Sequence, residues 1–295
     1  MRKWISLLLS ALTLSSLLYS RVYAPPTMPI RGAQPIRTHP DAQHLVGAWI
    51  TTAGHGTGVL DYSGYRHTAA FQGSPTWTPG PGGPVLYTDT SNYLTIPDPG
   101  WDFTNLTIIC RFKPLSFDDD VYLLKTDSGD YDIRFYCRFG SDRLQFLWGN
   151  GAATDYQLAT LSWASQWYTV AITFDKSTIW FYRDGMQVAE EATGTSLNAT
   201  SNAAVTIGDT DGDTALIEYV YVYDRTLDTS AIQRITASPY AMFRYPVESQ
   251  MYVSGGEEPP AGNPQVISIM MTTLPAWMIV GLAIGFTQCR RRRAA

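Results

Sequence analysis

From Trp167 to Leu227, apolar and polar residues alternate with period two through three successive segments, WYTVAITFD, STIWFYRDG and ALIEYVYVYDRTL. Successive side chains on a strand point to opposite faces, so this alternation, in segments rich in Val, Ile, Tyr, Phe and Thr, predicts three half-buried strands. Asp184 and Gly185 fall at the end of one run, and a Gly after Asp supplies the positive φ values of a tight hairpin. Asp228 opens the segment DTSAIQRI and is a good N-cap, which predicts one short terminal helix. Ala231 stands where a reciprocal capping acid would complete a box. Strands of this kind in series predict an all-β sandwich.

The two ends change that picture. Met1, Arg2 and Lys3 precede an uncharged run from Trp4 to Ser20 and the small-residue pattern Val22, Tyr23, Ala24, so residues 1–24 are expected to be a secretory signal peptide. A Pro-rich lead, 25–44, follows, then the sandwich over 45–245 and a Pro/Gly-rich linker over 246–265 that includes EEPPAGNP. Val266 to Phe286 is a 21-residue stretch without charge. As a helix it would be about 31 Å long, close to the roughly 30 Å hydrocarbon core of a bilayer. The four arginines Arg290–Arg293 beyond it predict a cytoplasmic tail, 287–295, and a single-pass type I protein whose domain is extracellular or periplasmic. Linker, span and arginine cluster also look like the C-terminal sorting tags of some bacterial surface proteins. Gly281 and Gly285 make a G-x-x-x-G, which predicts weak homodimerisation through the span.

With 45% hydrophobic and 16% charged residues, 18 Tyr and 9 Trp, the chain has the balance of a globular all-β domain with a large core. Setting aside Arg2, Lys3, Arg21 and Arg290–Arg293 leaves 14 basic against 26 acidic residues, a net charge of −12 on the domain side. That exterior disfavours nucleic acid, heparin-like polyanions and anionic lipid as partners. Cys110 and Cys137 lie on predicted strands of an exported domain, and either form one disulfide or remain two buried thiols. Cys289 lies on the cytoplasmic side of the span.

The strand run also resembles a family. Trp167, Val170, Ala171, Thr173, Phe174 and Asp175, then Tyr182, Asp184 and Gly185, Ile207 and Gly208, and Ile217, Glu218, Tyr223, Arg225 and Leu227 look like the signature of the LamG-like jellyroll domains of the concanavalin A-like lectin/glucanase superfamily. Leu45 to Trp49, Asp61 to Gly64 and Gly73 to Trp77 resemble the opening strand and turn of bacterial and phage-associated members. Leu106, Thr107, Ile108, Lys113 and Pro114 resemble the next strand, in which Arg111 replaces the family's usual Trp. The resemblance covers roughly residues 45–243 and implies a jellyroll scaffold that hosts lectins, adhesins, hydrolases and structural proteins alike.

The glucanase branch carries its nucleophile and acid/base on one strand as Glu-x-Asp-x-x-Glu, since retaining hydrolysis needs two carboxyl groups about 5 Å apart. The matching segment, Ile217 to Tyr223, holds only Glu218, so no catalytic residues are assigned and a non-enzymatic role is expected. His44, His55 and His67 read as loop histidines. Asp209, Asp211 and Asp213 form a D-x-D-G-D loop whose hard oxygens suit calcium, with Glu218 able to complete the set; the same residues also suit an ordinary solvated turn. Asp118, Asp119 and Asp120 read as a charged loop. Trp77, Trp101, Trp148 and Trp163 lie beside turn residues and are the candidate sugar platforms, the alternative being that they cap the ends of the sandwich. Trp49, Trp167 and Trp180 read as core. The expected function is a membrane-anchored extracellular binding or adhesion module for carbohydrate or a surface protein. A structural or assembly domain of a cell envelope or phage-derived particle is the alternative, and a degenerate glycoside hydrolase the third.

Overall fold

The computed structural model describes residues 29, 33–51, 56–126, 133–149, 153–157, 161–175, 177–192, 199–200 and 203–244. The signal segment, the linker, the 266–286 span, its G-x-x-x-G, the arginine tail, Cys289 and His55 lie outside the described residues. Among the described residues no helix is long and apolar enough to cross a membrane.

Two antiparallel sheets make the sandwich. One runs in the order Met186–Ala192, Thr178–Arg183, Tyr168–Phe174, Leu106–Pro114, Ala215–Tyr223, Pro84–Thr88 and Thr76–Pro79, with Leu45–Ile50 also paired to Ala215–Tyr223. The other runs Ala153–Gln157, Arg143–Gly149, Ile133–Arg138, Asp120–Thr126, Val205–Ile207, Tyr93–Ile96, Ala69–Gln72 and Gly58–Val59. The main core forms where alternate residues of both meet: Ile108, Phe112, Val170, Ile172, Val220 and Val222 from the first, and Leu123, Phe135, Leu144, Phe146 and Ile207 from the second. The predicted hairpin is present. Thr178–Arg183 and Met186–Ala192 are joined by Asp184 at φ 52° and Gly185 at φ 80°, the left-handed pair that a two-residue turn requires. The predicted helix spans Thr229–Ala237, and Asp228 Oδ1 accepts from the Ala231 amide at 2.7 Å.

The expectation of half-buried strands is corrected. Ala215–Tyr223 and Tyr168–Phe174 are buried along their whole length, because the outer face of the first sheet is covered as well. Tyr219, Tyr221, Tyr223, Ile109 and Ala171 form a second core there with Ala231, Ile232 and Ile235 of the helix and with Tyr240, Met242, Phe243, Ala33 and Leu45. Residues 33–44 therefore pack on the sandwich they lead into. Gln34–Pro35 pairs with Phe243–Arg244, Arg234 Nη2 donates to Asp41 Oδ1 at 2.8 Å, and Tyr223 Oη donates to the Asp41 carbonyl at 2.9 Å.

Cys110 and Cys137 are free and fully buried, which corrects the disulfide reading in favour of two thiols. They point into the main core from opposite sheets and act there as small apolar fillers. Burial raises the pKa of both well above the ordinary thiol value, so neither is present as a reactive thiolate.

Candidate functional site

The segment from Asp61 to His67 is a turn locked by one carboxylate. Asp61 Oδ1 accepts from the amides of Ala48 (2.9 Å) and Ser63 (2.8 Å), while Oδ2 accepts from Ser63 Oγ (2.8 Å) and the His67 amide (3.0 Å). The core adds a further tie, because the buried Trp49 donates its indole N–H to the His67 carbonyl at 2.7 Å. Gly64 at φ 96° and Arg66 at φ 68° let the chain turn sharply enough to close these bonds. The consequence is Tyr65, held 58% exposed at the apex with its ring stacked on His67, centroids 6.1 Å apart and planes 7° apart. An exposed ring on a rigid turn is preorganised to contact a ligand, since little freedom is left to lose on binding.

Beside Tyr65 lies a cavity of about 270 Å³, lined among others by Pro35, Arg37, Gln43, His44 and Ser63. The Arg37 guanidinium rests against the turn, its Nη2 3.4 Å from where a Cβ on Gly64 would stand. His44 takes φ 64° and donates from Nδ1 to Asp224 Oδ1 at 2.8 Å, which leaves Nε2 open to a ligand. The cavity can thus offer guanidinium donors from Arg37, an acceptor at His44 Nε2, an aromatic face and apolar walls together.

The residues singled out from the sequence are placed elsewhere. Trp77 packs edge-to-face on Phe71 at 5.9 Å, and the buried Trp101 packs on Trp49 at 6.2 Å and Phe103 at 5.1 Å. Trp163 packs on Phe139 at 5.5 Å and Tyr168 at 5.1 Å. Trp101 belongs to the main core, and Trp77 and Trp163 pack against it partly buried, which favours the end-capping alternative. The Trp148 side chain lies outside the described residues.

Nor does the structure bring Asp209, Asp211, Asp213 and Glu218 together. Asp209 pairs with Lys125 at 3.4 Å, and Asp211 accepts from Tyr122 Oη at 2.8 Å. Buried Asp213 accepts from the amides of Asp118 (3.1 Å) and Asp119 (2.8 Å) and thereby holds the second acidic cluster in place. Among the described residues no three acidic, His or Cys side chains converge so as to hold a metal ion.

Glu218 is the extra residue of a bulge, since Ile217 faces Phe112 and Tyr219 faces Arg111. Only 3% exposed, it accepts from Arg111 Nε at 2.8 Å and from Tyr240 Oη at 2.6 Å. Burial first, and the Glu218 charge next, raise the Tyr240 pKa far above the ordinary phenol value and keep it a donor. Both oxygens of Glu218 are thereby committed to structural partners. Arg111, which departs from the family's usual Trp, is explained by this pairing.

Residues 88–233 match a family model described as the concanavalin A-like lectin/glucanases superfamily, and the jellyroll resemblance read from the sequence is shown. No curated protein matches the chain in sequence. Among solved structures, it is similar to the binding domain of botulinum neurotoxin serotype G, at 13% identity and TM-score 0.55 over 67% of this chain and 51% of that one. The binding domain of botulinum neurotoxin DC, solved in complex with rat synaptotagmin II, matches at 12% identity and TM-score 0.56 over 67% of this chain and 52% of that one. Domain 4 of AbnA, an extracellular GH43 arabinanase from Geobacillus stearothermophilus solved with arabinotriose, matches at 13% and 0.54 over 65% of this chain and 98% of that one. The chain thus spans about half the length of the toxin binding domains and nearly all of the arabinanase domain. At these identities the likeness establishes the fold.

Proposed function

From a jellyroll domain of the concanavalin A-like superfamily, we propose a non-catalytic binding and adhesion module, held outside a membrane by residues 266–286, with the cavity beside Tyr65 as its ligand contact. The observation that carries this reading is the Asp61-locked turn presenting an exposed Tyr65 over a cavity edged by Arg37, Gln43 and His44. The binding domains among the structural neighbours support it at the level of the scaffold. The non-catalytic part is supported by Glu218, whose two oxygens are engaged by Arg111 and Tyr240. The anchoring part is supported by the uncharged run and the arginines behind it.

The test is binding of the full-length protein to a glycan array and to a panel of surface proteins, with and without Tyr65→Ala. Binding lost in the variant at an unchanged Tm supports the reading. Binding that Tyr65→Ala leaves intact refutes the assignment of the cavity, and self-association with no ligand favours the assembly alternative. Membrane pelleting of the chain with and without residues 266–295 tests the anchor.

A further inference from the structure

The geometry points to an acidic sugar, a pyranose bearing a carboxylate, as the ligand of the cavity beside Tyr65, an inference that rests on reading that cavity as the binding site.

None of the eight residues that line the cavity is acidic, although the chain as a whole carries more acidic than basic residues. A site for a neutral sugar needs strong acceptors for hydroxyl protons, and carboxylates are the strongest that side chains offer. Here the lining supplies the Arg37 guanidinium beside the Gln43 amide and the His44 ring, with no carboxylate among them. Asp224, near His44, has Oδ1 engaged at 2.8 Å, and Ser63 both donates to Asp61 and accepts from the Tyr65 amide.

Arg37 is the cation of this lining. Arg111, Arg138 and Arg234 meet Glu218, Asp120 and Asp41 at 2.8, 3.1 and 2.8 Å, whereas no carboxylate of the described residues pairs with Arg37. Its position against Gly64 places the guanidinium at the foot of the turn that carries Tyr65, so one ligand can reach both. A guanidinium presents two parallel N–H groups that match a carboxylate, which a neutral hydroxymethyl group cannot exploit.

Size and shape limit the ligand further. A volume of about 270 Å³ lies just under the roughly 300–1,000 Å³ of sites for drug-sized ligands, which suits one sugar ring. The Tyr65 ring covers the C–H face of a pyranose, and the Gln43 amide and His44 Nε2 are placed for its hydroxyls. The acidic exterior restricts the charge: one carboxylate satisfies Arg37, while a polyanion would lie across carboxylates elsewhere on the surface.

The experiment is calorimetric titration of the full-length protein with glucuronate-terminated and sialate-terminated oligosaccharides and their carboxyl-reduced neutral counterparts. One of the two acidic series should bind about tenfold tighter than its neutral counterpart, the value of one exposed charge-assisted pair. Arg37→Gln should erase that ratio and leave the weak neutral affinity, while Tyr65→Ala should lower the affinity for both forms. Both residues are exposed, so neither variant should shift Tm. Equal binding of acidic and neutral sugars, or a ratio that survives Arg37→Gln, overturns the acidic-sugar inference and leaves the cavity standing. Sugar binding that survives Tyr65→Ala overturns the cavity itself, and no binding of any of these sugars at millimolar concentration overturns the inference.

Discussion

Replacing Arg111 with Leu strands the Glu218 carboxylate in the outer core. Glu218 is 3% exposed and loses its 2.8 Å bond from Nε, keeping only the 2.6 Å bond from Tyr240. Breaking a buried pair by removing one partner costs about 3–5 kcal/mol, because the remaining charge is left desolvated. The Arg111 side chain is 26% exposed and water reaches the vacated space, so the lower end, about 3 kcal/mol, is expected. In a domain of about 200 residues this lowers Tm by about 6–12 °C. Replacing both residues with Leu removes the charges together and should cost about 1 kcal/mol or less, giving a coupling of about 2 kcal/mol or more in a double-mutant cycle. The assay is urea unfolding followed by tryptophan fluorescence for the parent, Arg111→Leu, Glu218→Leu and the double variant. Single-variant costs that simply add in the double variant would show that the pair is not a coupled unit, and the account of both Arg111 and Glu218 would fail.

Asp61→Ala leaves the Ala48, Ser63 and His67 amides without their acceptor, and should cost about 2–4 kcal/mol while weakening ligand binding more than Asp61→Asn does. Differential scanning calorimetry beside a binding titration checks both halves. Burial raises the pKa of Tyr219, Tyr221, Tyr223 and Tyr240, so the stability tied to their neutral forms is complete below the unfolded phenol value, about 10, and is lost as pH rises above it. With four such groups stability falls by up to about 5 kcal/mol per pH unit there, and tyrosinate absorbance should appear together with unfolding rather than before it. Asp213→Ala, which orphans the amides of Asp118 and Asp119, should destabilise by about 1–3 kcal/mol, whereas millimolar calcium should leave the Tm of the parent unchanged. An iodoacetamide reaction should label Cys110 and Cys137 only after unfolding, and labelling of the native protein would contradict their burial.

Local periodicity carried the strands, the Asp184–Gly185 hairpin and the Asp228-capped helix, because each depends on residues adjacent in the chain. What it missed depends on distant residues. The alternation in Ala215–Tyr223 reads as one wet and one dry face, yet its Tyr positions are covered by residues 33–45 and 227–243. A tyrosine column suits either environment, since the ring is apolar and the hydroxyl can find a carbonyl, as Tyr221 finds Pro239 at 3.0 Å. Likewise a Trp beside a turn is read equally well as platform or plug, and only the partners Phe71, Trp49 and Phe139 decide. The acidic loop reads as one set because its residues alternate in sequence. Its carboxylates serve instead Lys125 and Tyr122 of the Asp120–Thr126 strand and the 118–119 backbone before it, three separate partners rather than one shared ion. The turn at Asp61 did leave a signal, the Asp-x-Ser spacing followed by Gly and an aromatic, in which the short acid takes the amide two residues on.

The covering layer and the candidate site have a common origin. Residues 33–45 cross the outer face of the first sheet because Tyr219, Tyr221 and Tyr223 must be buried, and Gln34–Pro35 is tied to Phe243–Arg244 to hold them there. That crossing carries Pro35, Arg37, Gln43 and His44 to the flank of the Asp61 turn, where a bare sandwich would offer an open surface. The turn is fixed independently, from Ala48 and Trp49 on the neighbouring strand, so two rigid walls meet with a gap between them. A gap between independently anchored walls is preorganised, and specificity then depends on which side chains the lead contributes rather than on the jellyroll itself. Jellyroll domains that lack such a covering lead should accordingly keep the fold and lose this cavity, and with it the ligand contact proposed here.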